Sequence, residues 1–304
     1  MQITASMVKE LRDKTNAGMM DCKKALQETN GDMEKAIDYL REKGLSKAAK
    51  KSGRIAAEGL TTALVSEDGK KGVVLEVNSE TDFVAKNEEF IKFVDEVAQA
   101  ILNNNPADME ALNNVVLTGG KTVQETLTEN ISTIGENMSI RRFEEVKVDN
   151  GTVVEYIHGG GKISVVVALE SDGDKEALKV LGKDLAMQVA AMNPKYISLE
   201  DVDSEFIEHE REILIAQALN EGKPQHIVEK MVEGRLNKEL KEVCLLEQAF
   251  VKDADLTVKK VISDTAAKIG SDIKVAGVIR YEVGEGIEKK SENFADEVAK
   301  QMGL

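Results

Sequence analysis

Two runs rich in β-branched residues flank a polar turn in LTTALVSEDGKKGVVLEVN, residues 60–78. The runs extend from Leu60 to Val65 and from Gly72 to Asn78, around the turn Glu67-Asp68-Gly69-Lys70. Such runs around an Asp-Gly turn are typical of a β-hairpin. Apolar side chains at helical spacing follow and end before Asn105-Pro106: Phe90, Phe93, Val94, Val97 and Ile101. The sequence therefore predicts a hairpin followed by a helix.

The same succession recurs further along the chain. Strand-like runs from Val153 to His158 and from Ile163 to Leu169 flank Gly159-Gly160-Gly161. A helical pattern from Leu178 to Met192 then ends at Asn193-Pro194. Two hairpin–helix units, each closed by a proline, predict an α+β fold with two related core subdomains.

A short helical region precedes the first hairpin. Thr4 can cap a first helix, a second runs from Met19 to Thr29, and Asp32 can cap a third that ends at Gly44. Three short helices form a bundle too small to be very stable alone, which favours a docking module. The residues from Lys47 to Arg54 are predicted to connect this bundle to the first hairpin.

A helical region also follows the second repeat. Two amphipathic patterns between Leu199 and Val243, broken at Gly222-Lys223-Pro224, predict an antiparallel helical hairpin. The predicted apolar faces are Val202, Phe206, Ile213, Leu214 and Leu219 on the first helix and Ile227, Met231, Leu236, Leu240 and Val243 on the second. The hairpin is either a cap on the preceding sheet or an arm for self-association or a partner. Lys274 to Val283 is predicted to be a strand that returns to the sheet. Ser291 can cap a closing helix.

Composition and charge limit the classes of function. The chain has 304 residues and a formal net charge of −15, which argues against a general nucleic-acid binder. One basic cluster exists, with Lys47, Lys50, Lys51 and Arg54, and it is either a solvated face or a contact with nucleic acid. The two cysteines, Cys22 and Cys244, favour free thiols in a reducing compartment. Without a signal-peptide pattern or an apolar run of ~20 residues, we expect a cytoplasmic protein with no membrane contact.

Residue patterns typical of catalysis are absent from the sequence. None of the histidines, His158, His209 and His226, has another ligand at metal-binding spacing. The chain contains no phosphate-binding glycine loop and no activated serine or cysteine nucleophile that the sequence can show. The sequence therefore predicts a protein without covalent chemistry, cofactor or metal.

An acid and an aromatic residue stand in a loop that would ordinarily be polar. Asp82 and Phe83 come directly after the second strand of the first hairpin. Phe83 is either a plug in the protein core or a wedge for a partner, with Asp82 as a charge beside it. Met19 and Met20, at the start of a helix, are likewise either core residues or partner contacts. Exposed methionines would suit an adaptable contact surface.

Six motifs resemble those of the bacterial elongation factor Ts family and follow one another in the family's order along the chain. They are LRDKTNAGMMDCKKAL at 11–26, TDFVAKN at 81–87, GENMSIRR at 135–142, YIHGG at 156–160, KMVEGR at 230–235 and the glycine-punctuated run at 281–289. The resemblance covers essentially the whole chain.

The resemblance implies a division of the chain into modules. These are a ubiquitin-associated-like three-helix module with its linker (1–54), core subdomain N (55–148), the first part of core subdomain C (149–198), a helical-hairpin dimerisation module (199–245), a return to subdomain C (246–285) and a C-terminal helical module (286–304). The hairpin at 199–245 either pairs two copies in a homodimer or serves only as an arm.

The resemblance also implies a guanine nucleotide-exchange factor that binds elongation factor Tu, a GTPase, in its GDP-bound and nucleotide-free states. The segment Thr81, Asp82, Phe83 and Val84 is expected to displace the partner's Mg²⁺. Three residues are expected to grip its nucleotide-binding domain: Arg12, Met19 and Met20. Four others are expected to meet another of its domains: His158, Gly159, Met187 and Gln188. The rival hypothesis is a ribosome-associated or scaffold protein without exchange activity.

Overall fold

The computed structural model describes residues 3–15, 17–222 and 224–288. Within these ranges the helices are α1 Ala5–Thr15, α2 Met19–Glu28, α3 Met33–Lys51, α4 Glu88–Asn104, α5 Met109–Asn113, α6 Val123–Ile134, α7 Lys175–Met192, α8 Ser204–Asn220, α9 Gln225–Val243 and α10 Val258–Ile269. The strands are β1 Glu58–Val65, β2 Lys71–Ser79, β3 Met138–Lys147, β4 Gly151–His158, β5 Ile163–Glu170, β6 Ala249–Phe250, β7 Asp253–Thr257 and β8 Lys274–Glu282. The predicted α+β class is confirmed. The helix predicted from Ser291 lies outside the described residues.

The chain divides into two compact units. Unit 1 contains the residues up to Thr62, Leu75–Phe143 and the residues from Tyr281 onward. Unit 2 contains Ala63–Val74 and Glu144–Arg280. The three sheets have the strand orders β1-β2-β3, β4-β5-β8 and β6-β7.

The three N-terminal helices pack around a small apolar core in unit 1. Its fully buried members are Leu11, Cys22, Ala25, Leu26 and Ala36. The expectation that α3 ends at Gly44 is wrong, because the helix continues to Lys51. Gly44 is buried in the helix, and a β-carbon there would lie 3.8 Å from the Ser132 Cβ atom of α6. One glycine lowers helix stability by only about 1 kcal/mol, and the following Leu, Ala and Lys residues are good helix formers.

Both predicted hairpin–helix repeats are present. β1 and β2 precede α4, and β4 and β5 precede α7. β4 pairs antiparallel with β5 in a register from Gly151 opposite Glu170 to His158 opposite Ile163. Each helix ends at an asparagine in the left-handed conformation, Asn105 with φ 48° and Asn193 with φ 45°. A proline follows each asparagine and prevents the helix from continuing.

The predicted helical hairpin is formed by α8 and α9. Its two helices bury a cluster of their own, comprising Leu214, Ala218, Val228, Val232 and Leu236. The predicted apolar faces were partly wrong, since Ile213, Leu219 and Ile227 are 38%, 51% and 43% exposed. The buried face of each helix is rotated slightly from the predicted one, toward Ala218 on α8 and toward Val228 and Val232 on α9.

Several elements were not predicted from the sequence. These are α5, α6, β3, β6, β7 and α10. Cys22 and Cys244 are free and buried, as expected for unpaired thiols. No helix in the described ranges is both long and apolar enough to cross a bilayer.

Candidate partner-binding site

Residues 80–87, here called the Phe83 loop, join β2 to α4 in unit 1. The Phe83 side chain is 79% exposed. Its interpretation as a core plug is therefore wrong. The interior position is taken by Val84 and Ala85, which are 5% and 7% exposed. Leaving this ring in water forgoes about 1.5–3 kcal/mol of burial free energy, and the ring is accessible to another molecule.

The Phe83 loop has a defined backbone on its C-terminal side. Residues Val84–Lys86 form a 3₁₀ turn, in which the Lys86 amide donates to the Phe83 carbonyl at 3.2 Å. The Asn87 side chain then accepts from the amides of Glu89 at 2.8 Å and Phe90 at 3.3 Å. This N-cap fixes the point at which the loop enters α4.

Asp82 lies beside Phe83 and pairs with a nearby lysine. The Lys86 Nζ atom lies 2.7 Å from the Asp82 carboxylate and 5.9 Å from the centroid of the Phe83 ring. Both ends of the ion pair are solvated, so the pair contributes about 0–1 kcal/mol and can be exchanged for another partner.

Two residues of the predicted segment have roles inside the protein. The Thr81 amide and hydroxyl donate to the Glu136 carboxylate at 3.0 and 2.8 Å. Val84 is buried, so the expectation that it contacts a partner is corrected: it anchors the loop to the core. Of this segment, Phe83 is exposed and Thr81 and Asp82 are half-buried. Local sequence gives no signal for Glu136, because it lies 55 residues away from Thr81.

A buried carboxylate lies on β2 before the loop. Glu76 is fully buried and accepts from Arg141 at 3.0 Å, Arg142 at 2.6 Å and the Gly284 amide at 2.8 Å. Burial alone would raise the pKa of Glu76. The hydrogen bonds from the Gly284 amide, Arg142 and Arg141 outweigh burial and lower that pKa below its ordinary value of 4.5. Local sequence gives no sign of this buried ion-pair cluster, although Arg141 and Arg142 belong to the motif GENMSIRR at 135–142.

The N-terminal helices expose the methionines that were singled out. Met19 is 57% exposed and Met20 is 74% exposed at the start of α2. Arg12 is exposed on α1. These three side chains are accessible on the three-helix bundle.

The basic cluster beside this bundle makes contacts within unit 1. Lys47 pairs with Asp21 at 2.8 Å, and Arg54 lies 3.4 Å from Glu80. Lys51 donates to the Gly135 carbonyl. These internal partners favour the interpretation of the cluster as a structural, solvated face.

The second predicted contact region lies in unit 2. His158 and Gly159 are exposed at the tip of the β4–β5 hairpin, and the Tyr156 hydroxyl lies 3.0 Å from His158 Nδ1. Met187 on α7 is half-buried.

The prediction that Gln188 contacts another domain of the partner is corrected. Its side chain is fully buried. It donates to Gln248 Oε1 and to the Ala249 carbonyl, both at 3.1 Å, and accepts from the Val251 amide at 2.8 Å. Because its polar atoms are bonded inside unit 2, Gln188 braces the β6 segment against α7 and presents nothing to a partner.

The described residues contain no group of three or more His, Cys, Asp or Glu side chains placed to hold a metal ion.

Known proteins resemble this chain over nearly its whole length. The sequence model of the family described as "Elongation factor TS" matches residues 80–285. The chain is 60% identical over 300 residues to the elongation factor Ts of Clostridioides difficile (strain 630), with 99% of each chain covered. It is 58% identical over 301 residues to that of Clostridium perfringens (strain SM101 / Type A) and 55% identical over 302 residues to that of Clostridium novyi (strain NT), again with 99% of each chain covered.

Proposed function

The chain belongs to the elongation factor Ts family and is a nucleotide-exchange factor of translation elongation, and we propose that Asp82 and Phe83 are its working residues. They act on elongation factor Tu, the GTPase partner that the family implies. The single observation that carries this proposal is the 79% exposure of Phe83 directly before two buried residues, Val84 and Ala85.

The physical basis of exchange is thermodynamic linkage. A factor that binds the nucleotide-free GTPase more tightly than the GDP-bound form must weaken GDP binding by the same factor. Binding energy alone drives the release, so the proposal assigns no covalent chemistry to this chain.

The partner's Mg²⁺ is the target that fits an acid and an aromatic ring. A magnesium ion bound to a nucleotide neutralises phosphate charge, so its displacement weakens GDP binding. In the proposal, Phe83 enters the partner as a wedge near the metal site. Asp82 exchanges its solvated pair with Lys86 for interactions that disturb the coordination of the metal.

Two further surfaces support the complex in this proposal. The exposed side chains of Arg12, Met19 and Met20 contact the nucleotide-binding domain, where flexible methionines adapt to the partner's shape. His158 and Gly159, with Met187 on α7, contact another domain.

The modular division also belongs to the proposal. Its modules are those implied by the family, with residues 1–54, 55–148, 149–198, 199–245, 246–285 and 286–304. The helical hairpin at 199–245 is proposed to pair two copies, since Ile213, Leu219 and Ile227 lie exposed on it. A role in translation elongation supports a cytoplasmic location as part of this proposal, and the net charge of −15 disfavours contact with nucleic acid.

The rival hypothesis, a ribosome-associated or scaffold protein, depended on the basic cluster. That hypothesis is disfavoured because Lys47, Lys51 and Arg54 already have partners within unit 1.

The test is release of fluorescent GDP from elongation factor Tu, with and without this protein, in Mg²⁺ and after chelation of Mg²⁺. In Mg²⁺ the wild-type protein should accelerate release, and the double variant Asp82→Ala/Phe83→Ala should lose at least about tenfold of that acceleration. After chelation the two proteins should converge, because the ion that the loop displaces is already gone.

The matched control is Val116→Ala, which truncates another exposed apolar side chain of unit 1. It should accelerate release as the wild type does. Failure of the wild-type protein to accelerate release would overturn the exchange function. A deficit of the double variant that persists undiminished without Mg²⁺ would overturn the metal-displacement step.

A further inference from the structure

Glu136 binds the residue that precedes the two working side chains. Its carboxylate accepts the Thr81 amide at 3.0 Å through Oε2 and the Thr81 hydroxyl at 2.8 Å through Oε1. Hydrogen bonds to an ionised acceptor are about twice as strong as neutral ones, and two bonds to one carboxylate also fix an orientation.

Thr81 is held through each of its polar groups. In addition to the two bonds to Glu136, its carbonyl accepts the Ser79 hydroxyl at 2.9 Å. The peptide that leads into Asp82 therefore has a defined direction. Burial of Val84 and Ala85 fixes the other side of the exposed pair.

The turn that carries Glu136 is itself held in place. Gly135 ends α6 in the left-handed conformation with φ 91° and accepts Lys51 Nζ through its carbonyl. The Asn137 amide donates to Glu80 at 2.5 Å, and its side-chain amide donates to the Arg54 carbonyl at 2.7 Å. Residues 135–137 thus link the end of α3 to the Phe83 loop within unit 1.

We propose that Glu136 is a positioning residue for nucleotide exchange. It touches neither nucleotide nor metal in this proposal. By holding Thr81, it aims Asp82 and Phe83 along the direction in which they enter the partner. The inference rests on the proposed function of these two residues.

Two conservative variants separate positioning from charge. Glu136→Gln removes the charge but keeps the reach: its carbonyl can accept the Thr81 amide, and its NH₂ group can donate to the Thr81 hydroxyl. Glu136→Asp keeps the charge but shortens the side chain by one methylene, so both bonds to Thr81 cannot form at these distances. Glu129→Ala is the matched control, because it removes a Lys121 ion pair of 2.6 Å that does not involve the Phe83 loop.

The experiment measures fluorescent GDP release from elongation factor Tu over a range of factor concentrations. We expect Glu136→Asp to lower the limiting rate by about tenfold. Its half-saturating concentration should change by less than about threefold, because the other proposed contacts are intact. Glu136→Gln and Glu129→Ala should stay within about threefold of the wild-type limiting rate. Hydrogen exchange of the 81–87 backbone should be faster in Glu136→Asp alone.

Any other order of the two variants overturns the inference. If Glu136→Asp exchanges like the wild type, or Glu136→Gln is as slow as Glu136→Asp, Glu136 does not act by positioning Thr81. Phe83→Ala, measured in the same series, keeps the two proposals apart. A slow Phe83→Ala with a normal Glu136→Asp removes only the positioning role, whereas a normal Phe83→Ala removes the proposed function of the loop.

Discussion

Eight residues, 80–87, join β2 to α4, whereas four residues, 171–174, join β5 to α7. The longer junction presents Phe83 to solvent and is bound by Glu136. The shorter junction is Ser-Asp-Gly-Asp and only turns the chain into the next helix. The two repeats share the same order of hairpin and helix. The proposed function lies in residues 80–87, the junction that is longer in the first repeat.

The strands that lead into these junctions also differ, in the polarity of the side chains that they bury near the junction. β2 buries the polar side chains of Glu76, Asn78 and Ser79 near its end, whereas β5 buries polar Ser164 near its start and apolar side chains from Val165 to Leu169 toward its end. Buried polar groups are unfavourable unless they are hydrogen-bonded. Glu76 meets this condition through Arg141 and Arg142, and Ser79 meets it through the Thr81 carbonyl.

The largest expected effect is the loss of stability when Glu76, the ion-paired carboxylate of β2, is removed. Glu76→Ala leaves Arg141 and Arg142 without their buried partner and should lower the free energy of unfolding by about 3 kcal/mol or more. Leu169→Ala is the counterpart in β5 and should lower it by about 2–5 kcal/mol through a cavity. Urea denaturation measures both. A Glu76→Ala variant as stable as the wild type would show that the first repeat does not depend on its polar interior.

Low pH should also distinguish substitutions in β2 from those in β5 by their effect on the free energy of unfolding. Because the folded-state pKa of Glu76 is lowered below 4.5, the stabilisation from its ionised form is present above the unfolded-state pKa. It is lost as pH falls through the lower folded-state pKa. The difference in unfolding free energy between wild type and Glu76→Gln should therefore shrink below pH 4.5. The difference for Leu169→Ala should not shrink in this way, because that side chain does not titrate.

A smaller effect compares the two helix caps. Asn87 caps α4 by accepting from Glu89 and Phe90, and Asp174 caps α7 by accepting from the Ala177 amide at 3.1 Å. Replacement of either by alanine should lower the free energy of unfolding by about 1 kcal/mol. Only Asn87→Ala should also slow GDP release from elongation factor Tu, by about two- to threefold, because only that cap fixes a working loop. Equal release rates for the two variants would contradict the distinction between the junctions.

Much of the repeated frame could be predicted because its signals are local. Period-two runs and Asn-Pro helix ends marked both repeats, with an Asp-Gly turn in the first and three consecutive glycines in the second. The acid and aromatic at Asp82-Phe83 were visible in the same way. α10 also had a local signal that was not used, since Thr257 caps it through the Lys260 amide and Val258 and Ile262 form its buried face.

The rest depended on contacts between distant residues. Glu136 becomes a functional candidate only when folding brings it to Thr81. The same holds for Gln188, which the family resemblance placed at a partner contact, because its three internal hydrogen bonds join it to residues 60 to 63 positions away. Gly44 is read as a helix end from its residue type, but its helix continues where it packs on α6. Burial and long-range pairing decide such positions, and neither follows from a local pattern.

The central claim is that Phe83 acts on another protein and contributes little to its own fold. Thermal unfolding of Phe83→Ala, combined with its rate of fluorescent GDP release from elongation factor Tu, tests this claim most directly. The midpoint should stay within about 1 °C of the wild type, since the removed ring is exposed. The acceleration of release should fall by at least about tenfold. A wild-type release rate, or a large fall in the unfolding midpoint, would contradict the claim.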